Sequence, residues 1–192
     1  MIFELLWRAT HRGREPRKWL KRLTELRHRV VPWPFDRLLL EKRGLVGAEI
    51  GVLAGEHAAA MLRVLDIRTL YLVDPYAAYS EHDARDMAAV CLKMRRRLAR
   101  FPQCRWIRWP SVYAVNHVPD ELDFAYIDAD HSYKSVQQDI AAWWPKVRSG
   151  GILGGHDFTI GHEPLIHAVT EFSVRNALTL YTCSPDWWIV KP

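Results

Sequence analysis

The segment from residue 122 to residue 158 reads LDFAYIDADHSYKSVQQDIAAWWPKVRSGGILGGHDF. Its first six residues are largely apolar, an amphipathic run follows, and a second apolar run covers 151–155. One face of the amphipathic run carries apolar residues at helical spacing: Val136, Ile140, Trp143 and Val147. A strand, a helix and a second strand in this order form a βαβ unit, which places its two strands in parallel. The segment therefore predicts an α/β fold.

The same alternation extends over the rest of the chain from Gly44 onward. A second helical face is formed by Cys91, Met94, Leu98 and Phe101. The candidate strands are 46–50, 69–73, 105–109, 122–127, 151–155, 177–182 and 187–191. We therefore predict a Rossmann-like, mostly parallel sheet of seven strands with helices on both faces. The predicted domain covers residues 44–192.

Residues 1–43 have a different character. They carry twelve Lys or Arg against five acids, a net charge of +7, whereas the remainder carries −2. Apolar residues at helical spacing predict an amphipathic helix: Trp19, Leu20, Leu23, Leu26 and Val30. A second short helix is predicted from Phe35 to Lys42. This basic helical arm either attracts phosphates or an anionic membrane surface, or is a solvated helix packed on its own domain.

Composition excludes several other classes of protein. The chain has 192 residues, of which 49% are hydrophobic and 26% charged, as in an ordinary globular domain. Its apolar runs are much shorter than the roughly 20 residues that span a bilayer, and its N-terminus lacks a secretory cleavage pattern. Three cysteines without CxxC spacing indicate neither a disulfide framework nor a zinc site. We expect a cytoplasmic protein.

Two motifs at the ends of the first two predicted strands favour a nucleotide-like cofactor. Glu49-Ile50-Gly51-Val52-Leu53-Ala54-Gly55 is a glycine turn between a strand and a helix, where backbone N–H groups can face a ligand. Asp74 closes the next strand, where a carboxylate can accept both hydroxyls of a ribose. The alternative interpretations are a tight turn at the glycines and an aspartate that caps a turn before proline.

The strongest candidates for chemistry follow the fourth and fifth predicted strands. Asp128, Asp130 and His131 end one strand, and His156 and Asp157 end the other. Carboxylates from adjacent strand ends suit a hard divalent cation such as magnesium, and the histidine makes the site softer. His131 is a candidate general base. The alternatives are that the acids cap helices and that the histidine only forms hydrogen bonds within a loop.

Taken together, these motifs resemble those of the class I S-adenosylmethionine-dependent methyltransferases, and within them the bacterial metal-dependent sugar and antibiotic O-methyltransferases. The resemblance runs from about Gly44 to the C-terminus, and its most specific part is residues 127–158. It implies a methyl transfer from a sulfonium to an oxygen of a small-molecule or saccharide acceptor.

The resemblance also implies roles for individual residues. Glu49, Gly51 and Gly55 would line the amino-acid moiety of S-adenosylmethionine, Asp74 would hold its ribose, and Ser111 would contact its adenine. Asp128 and Asp157 match the metal-binding acids, with His156 where many relatives have another acid. His131 occupies the position of a catalytic lysine in related catechol-type enzymes, so that His131 and Asp128 are the catalytic candidates.

Two other functions remain open from the sequence. The basic arm and its tryptophans would suit an RNA acceptor, although the chain lacks the Asn/Asp-Pro-Pro-Tyr type of motif expected for base methylation. A non-catalytic binding or scaffold module would keep the fold without the chemistry. A homodimer is also considered, with a face formed by Trp143, Trp144, Trp187 and Trp188. The simpler alternative is that these tryptophans are buried in the core.

Overall fold

The computed structural model describes Phe35, residues 38–77 and residues 86–192. The helix predicted from Trp19 to Val30 lies outside these residues. Within the second predicted helix, residues 38–41 form a turn in which the N–H of Lys42 donates to the carbonyl of Leu39 at 3.0 Å.

The described chain forms one sheet of seven strands, as predicted. The strands are β1 (Leu45–Ile50), β2 (Ile67–Val73), β3 (Cys104–Ile107), β4 (Leu122–Ile127), β5 (Val147–Gly155), β6 (Leu180–Cys183) and β7 (Asp186–Val190). Their order is β3-β2-β1-β4-β5-β7-β6. The first five strands pair in parallel, whereas β7 pairs antiparallel with both β5 and β6. The sheet is therefore mostly parallel, as predicted.

Only β4 has the predicted bounds; β1, β2 and β7 differ from theirs by one or two residues, and β3, β5 and β6 differ as follows. β3 ends at Ile107 because it pairs only with β2, through Val73 at its last position. β5 begins at Val147, which pairs with Leu122 across a register shift, so the run before Ile152 is a bulged strand and not a turn. β6 covers 180–183 and not 177–182, because its antiparallel pairing with β7 runs from Leu180 opposite Ile189 to Cys183 opposite Asp186.

Helices cover both faces of the sheet. They are α1 (Glu56–Val64), α2 (Met87–Leu98), α3 (Ser111–Ala114) with a 3₁₀ turn at Val115–His117, α4 (Tyr133–Trp143) and α5 (Glu163–Arg175). One core cluster packs α1 and α2 against alternate strand residues such as Leu72 and Phe124. The other packs α4 and α5 against the opposite residues, such as Val73 and Ala125. This alternation follows from the period of two in a strand.

The core continues upstream of the predicted domain boundary at residue 44. Phe35 and Leu39 are fully buried in the first cluster. The ring of Phe35 lies edge-on to Phe124 and Tyr126, with centroid distances of 5.8 and 5.0 Å. Part of the predicted arm thus packs as core of the sheet domain.

The carboxyl ends of β1, β2, β4 and β5 meet at one edge of the sheet because these strands are parallel. The chain winds in opposite directions from β1 and β4, and ligands of open α/β sheets bind at such a switch point. Among the described residues, no helix has the length and apolar character needed to cross a membrane.

Candidate functional site

Two neighbouring cavities open at the carboxyl edge of the sheet. The larger, of about 320 Å³, is lined by most of the predicted site residues: Glu49, Gly51, Asp74, Asp128, His131 and Asp157. The second, of about 270 Å³, is lined by Ser111. Gly51, Asp74 and Ala129 line both cavities. The fold therefore brings the predicted residues of four strand ends into one region.

Glu49 is a buried carboxyl group at the end of β1, with only 1% of its surface exposed. Its Oε1 lies 3.0 Å from Nδ1 of His57 on α1, whereas its Oε2 has no hydrogen-bond partner among the described residues. Burial raises the pKa of this carboxyl group. An orphaned buried oxygen is costly, so the site favours a cationic donor that would complete it.

The backbone of the sheet itself requires a glycine at position 51, apart from any approach of a ligand. Its φ is +87°, and a Cβ placed there would lie 1.9 Å from the backbone oxygen of Asp128. The N–H of Asp128 donates to the carbonyl of Ile50 at 2.7 Å, so the ends of β1 and β4 are in direct backbone contact. The glycine is what allows the two strand ends to meet.

Gly55 serves helix packing and lies outside the lining of both cavities. It is the residue before α1, with φ +68°, and an added Cβ would lie 3.0 Å from side-chain atoms of Met94 and Leu98 on α2. The predicted contact with the cofactor is therefore not supported by its position.

Asp74 is held by the backbone around it. Its Oδ2 accepts hydrogen bonds from the N–H groups of Val52 and Leu53 at 3.1 and 2.8 Å, and its Oδ1 accepts one from Tyr76 at 2.7 Å. Asp74 thus caps its own turn and also orders the glycine turn after β1. Both lone pairs of Oδ2 are used, whereas Oδ1 keeps one, so the cap leaves one acceptor position for the predicted ribose contact.

Ser111 begins α3, and its Oγ accepts a hydrogen bond from Nε1 of Trp143 at 2.7 Å. The same cavity contains Asp139 of α4, which is 5% exposed. Burial raises the pKa of Asp139 from 3.8 to about 6. Asp139 was not among the predicted site residues. The sequence does indicate it, because a carboxylate on the apolar helix face of Val136, Ile140 and Trp143 is costly to bury without a function.

Asp157, at the tip of β5, is the centre of a cluster of histidines. Its Oδ2 lies 3.0 Å from Nε2 of His131, and its Oδ1 lies 3.1 Å from Nδ1 of His156. The contacts with His131 and His156 lower the pKa of Asp157. The contact between His156 and Asp157 also raises the pKa of His156. Nε2 of His131 is also 3.9 Å from Oδ1 of Asp128. The predicted acids and histidines of β4 and β5 are thus brought together.

The cluster contains two sets of three side chains whose ligand atoms lie within 4.8 Å of one another. One is the predicted set, Asp128, His156 and Asp157; the other is His131, Asp157 and His162. The mutual distances and the mixed oxygen and nitrogen donors of the predicted set fit a divalent cation. His162 was not predicted as a metal ligand, because four residues lie between it and Asp157 with no motif among them.

The region that contains the site matches a family model. Residues 48–158 match the model described as a methyltransferase domain. This chain belongs to the methyltransferase domain family. It is a class I methyltransferase of the S-adenosylmethionine-dependent type that its sequence resembles. A comparison with curated protein sequences gives no significant match.

Several solved methyltransferase structures share the fold of this methyltransferase. The O-methyltransferase NovP has 21% identity and a TM-score of 0.61, over 89% of this chain and 79% of that chain. An rRNA methylase from Streptococcus thermophilus has 14% identity and a TM-score of 0.58, over 83% and 95%. Aeropyrum pernix fibrillarin, in complex with natively bound S-adenosyl-L-methionine, has 15% identity and a TM-score of 0.56, over 79% and 69%. At these identities the likeness shows the fold.

Proposed function

We propose that this methyltransferase transfers a methyl group from S-adenosylmethionine to a hydroxyl of a small molecule or saccharide, with the help of a divalent cation. The observation that carries the proposal is the convergence of Asp128, His131 and Asp157 beside a cavity that contains the orphaned oxygen of Glu49. The proposed proton acceptor and cation ligands therefore adjoin the proposed cofactor site.

The two cavities together suit the two ends of S-adenosylmethionine. Oε2 of Glu49 would accept a hydrogen bond from the ammonium of the amino-acid end in the larger cavity. Asp74 lines both cavities, where a ribose would join the two ends of the cofactor. The smaller cavity, with Ser111 and Asp139, would then hold the adenine.

In this proposal the side chains around Asp157 position the acceptor and take its proton. Asp128, His156 and Asp157 would hold the cation, which when bound lowers the pKa of a hydroxyl that it contacts. The imidazole of His131 would accept the hydroxyl proton, and Asp157, whose Oδ2 lies 3.0 Å from Nε2 of this ring, would orient it and stabilise its protonated form. The sulfonium of S-adenosylmethionine supplies the methyl group, so the protein itself needs no nucleophile.

The cofactor site is tested by calorimetric titration of S-adenosylmethionine into the wild-type protein and a Glu49→Gln variant. The substitution keeps the shape but removes the buried negative charge, so we expect binding about tenfold or more weaker. The matched control is Glu163→Gln, an exposed glutamate outside both cavities. Absence of binding to the wild type, or equal affinity of the wild type and Glu49→Gln, would contradict the proposed site.

The acceptor class is tested by a methyl-transfer screen with sugars and phenols, with and without magnesium, and with a His131→Asn variant. We expect product only with a hydroxyl acceptor, and a rate lower by about 100-fold in the variant because the proton acceptor is lost. The matched control is His167→Asn, at an exposed histidine of α5. Methylation of RNA instead, or a His131→Asn rate equal to the control, would overturn this part of the proposal.

A further inference from the structure

Three elements bring His131, Asp157 and His162 together. His131 follows β4, Asp157 follows β5, and His162 is the residue before α5. Nε2 of His131 lies 3.0 Å from Oδ2 of Asp157, and Nδ1 of His162 lies 3.9 Å from its Oδ1. The two imidazole rings have a centroid distance of 5.0 Å. All three ligand atoms lie within 4.8 Å of one another.

Two imidazoles and one carboxylate form a different donor set from the one proposed for catalysis. Imidazole nitrogen favours first-row transition metals, whereas magnesium favours oxygen, and three ligands leave coordination positions open for water. The three side chains are 19%, 23% and 36% exposed, so an ion from solution can reach them. The set is therefore partly enclosed and accessible.

We propose that His131, Asp157 and His162 form a second metal site that takes a divalent transition-metal ion such as Co²⁺, Ni²⁺ or Zn²⁺. The two sets share Asp157, so occupation of the second site competes with the cation held by Asp128 and His156. A metal bound to His131 also occupies the imidazole assigned as proton acceptor. A transition metal would therefore inhibit the enzyme; this consequence, unlike the binding itself, rests on the proposed function.

Binding is tested by titrating Co²⁺ into the full chain and following its visible absorption, which reports nitrogen and oxygen ligation. We expect the wild type to bind Co²⁺, and we expect the affinity of His162→Asn for Co²⁺ to be lower by about tenfold or more, because one ligand is lost. The control His167→Asn changes an exposed histidine of the same helix and should match the wild type. His11 and His28 remain in every variant, so any signal from them is common to all.

A third variant, His156→Asn, separates the two ligand sets. The proposal expects it to keep wild-type Co²⁺ affinity, since His156 belongs only to the other set. Loss of Co²⁺ binding in His156→Asn but not in His162→Asn would overturn the second site, as would displacement of Co²⁺ by an equal concentration of Mg²⁺. S-adenosylmethionine binding is measured on the same samples: if it is absent while Co²⁺ binding depends on His162, the proposed function fails and the metal site stands.

Discussion

At Gly51, one missing side chain allows two strands to meet. We expect Gly51→Ala to lower the free energy of unfolding by about 4 kcal/mol or more, because the new Cβ would overlap the backbone oxygen of Asp128. Gly44→Ala is the matched control: φ is +62° there, but no atom lies within 4 Å of the added Cβ. It should cost only about 1 kcal/mol for the left-handed backbone. Urea unfolding measures both, and equal losses would show that the strand contact is unimportant.

Asp139 makes stability depend on pH. Its folded pKa of about 6 lies above the ordinary value of 3.8, so the folded state binds more protons than the unfolded state between these values. The free energy of unfolding therefore falls as pH rises through this window, by up to about 3 kcal/mol from this group. Asp139→Asn should remove that part of the pH dependence. Urea unfolding from pH 4 to pH 7 measures this. An equal change in the free energy of unfolding with pH in the variant and the wild type would contradict the assignment.

Among the helices, α2 begins at the strongest side-chain cap. Oδ1 of Asp86 accepts hydrogen bonds from the N–H groups of Ala88 and Ala89 at 3.0 and 3.1 Å. Asp86→Ala should lower the free energy of unfolding by about 1 kcal/mol. The comparison is Ser132→Ala at the start of α4, where the capping bond from Ser135 is 3.4 Å long and its loss should cost less. Thermal unfolding measures both, and a larger effect at Ser132 would contradict the prediction.

The predicted strands are most accurate in the centre of the sheet, where the pattern of buried residues sets the secondary structure. Strands of the central sheet alternate between two apolar faces, so their periodicity is visible in the sequence. The start of β5 was missed because Ser149-Gly150-Gly151 has the composition of a turn, while Gly150, with φ +71°, lies within a bulged strand that pairs with β4 and β7. Only the neighbouring strands stabilise that segment as a strand.

At the scale of the whole molecule, the core includes residues upstream of the predicted boundary at 44. Phe35→Ala in the full chain should lower the free energy of unfolding by about 4 kcal/mol, because the ring is fully buried against Phe124 and Tyr126. Leu38→Ala is the control, since Leu38 is 40% exposed and should cost below about 1 kcal/mol. Urea unfolding compares the two, and a similar, small effect of both would place Phe35 outside the cooperative core.

The sequence by itself determined the fold class, the seven strands and the edge of the sheet at which the polar residues gather. The physical reason is that these features follow from hydrophobic period and from parallel βα order, which are local properties of the chain. It also identified Asp128 and Asp157 as candidates, since they follow apolar strands, and the family resemblance added Glu49.

Only the tertiary structure decided which of these groups lie within bonding distance. The roles of His162 beside Asp157 and of Asp139 beside Ser111 depend on how α5 and α4 pack on the sheet, which the spacing of residues does not specify. Likewise, only the folded structure shows that the buried second oxygen of Glu49 has no donor among the described residues and that Gly55 lies where α1 packs against α2. Such distances arise from the packing of elements that are remote in the chain, so they appear only once the chain is folded.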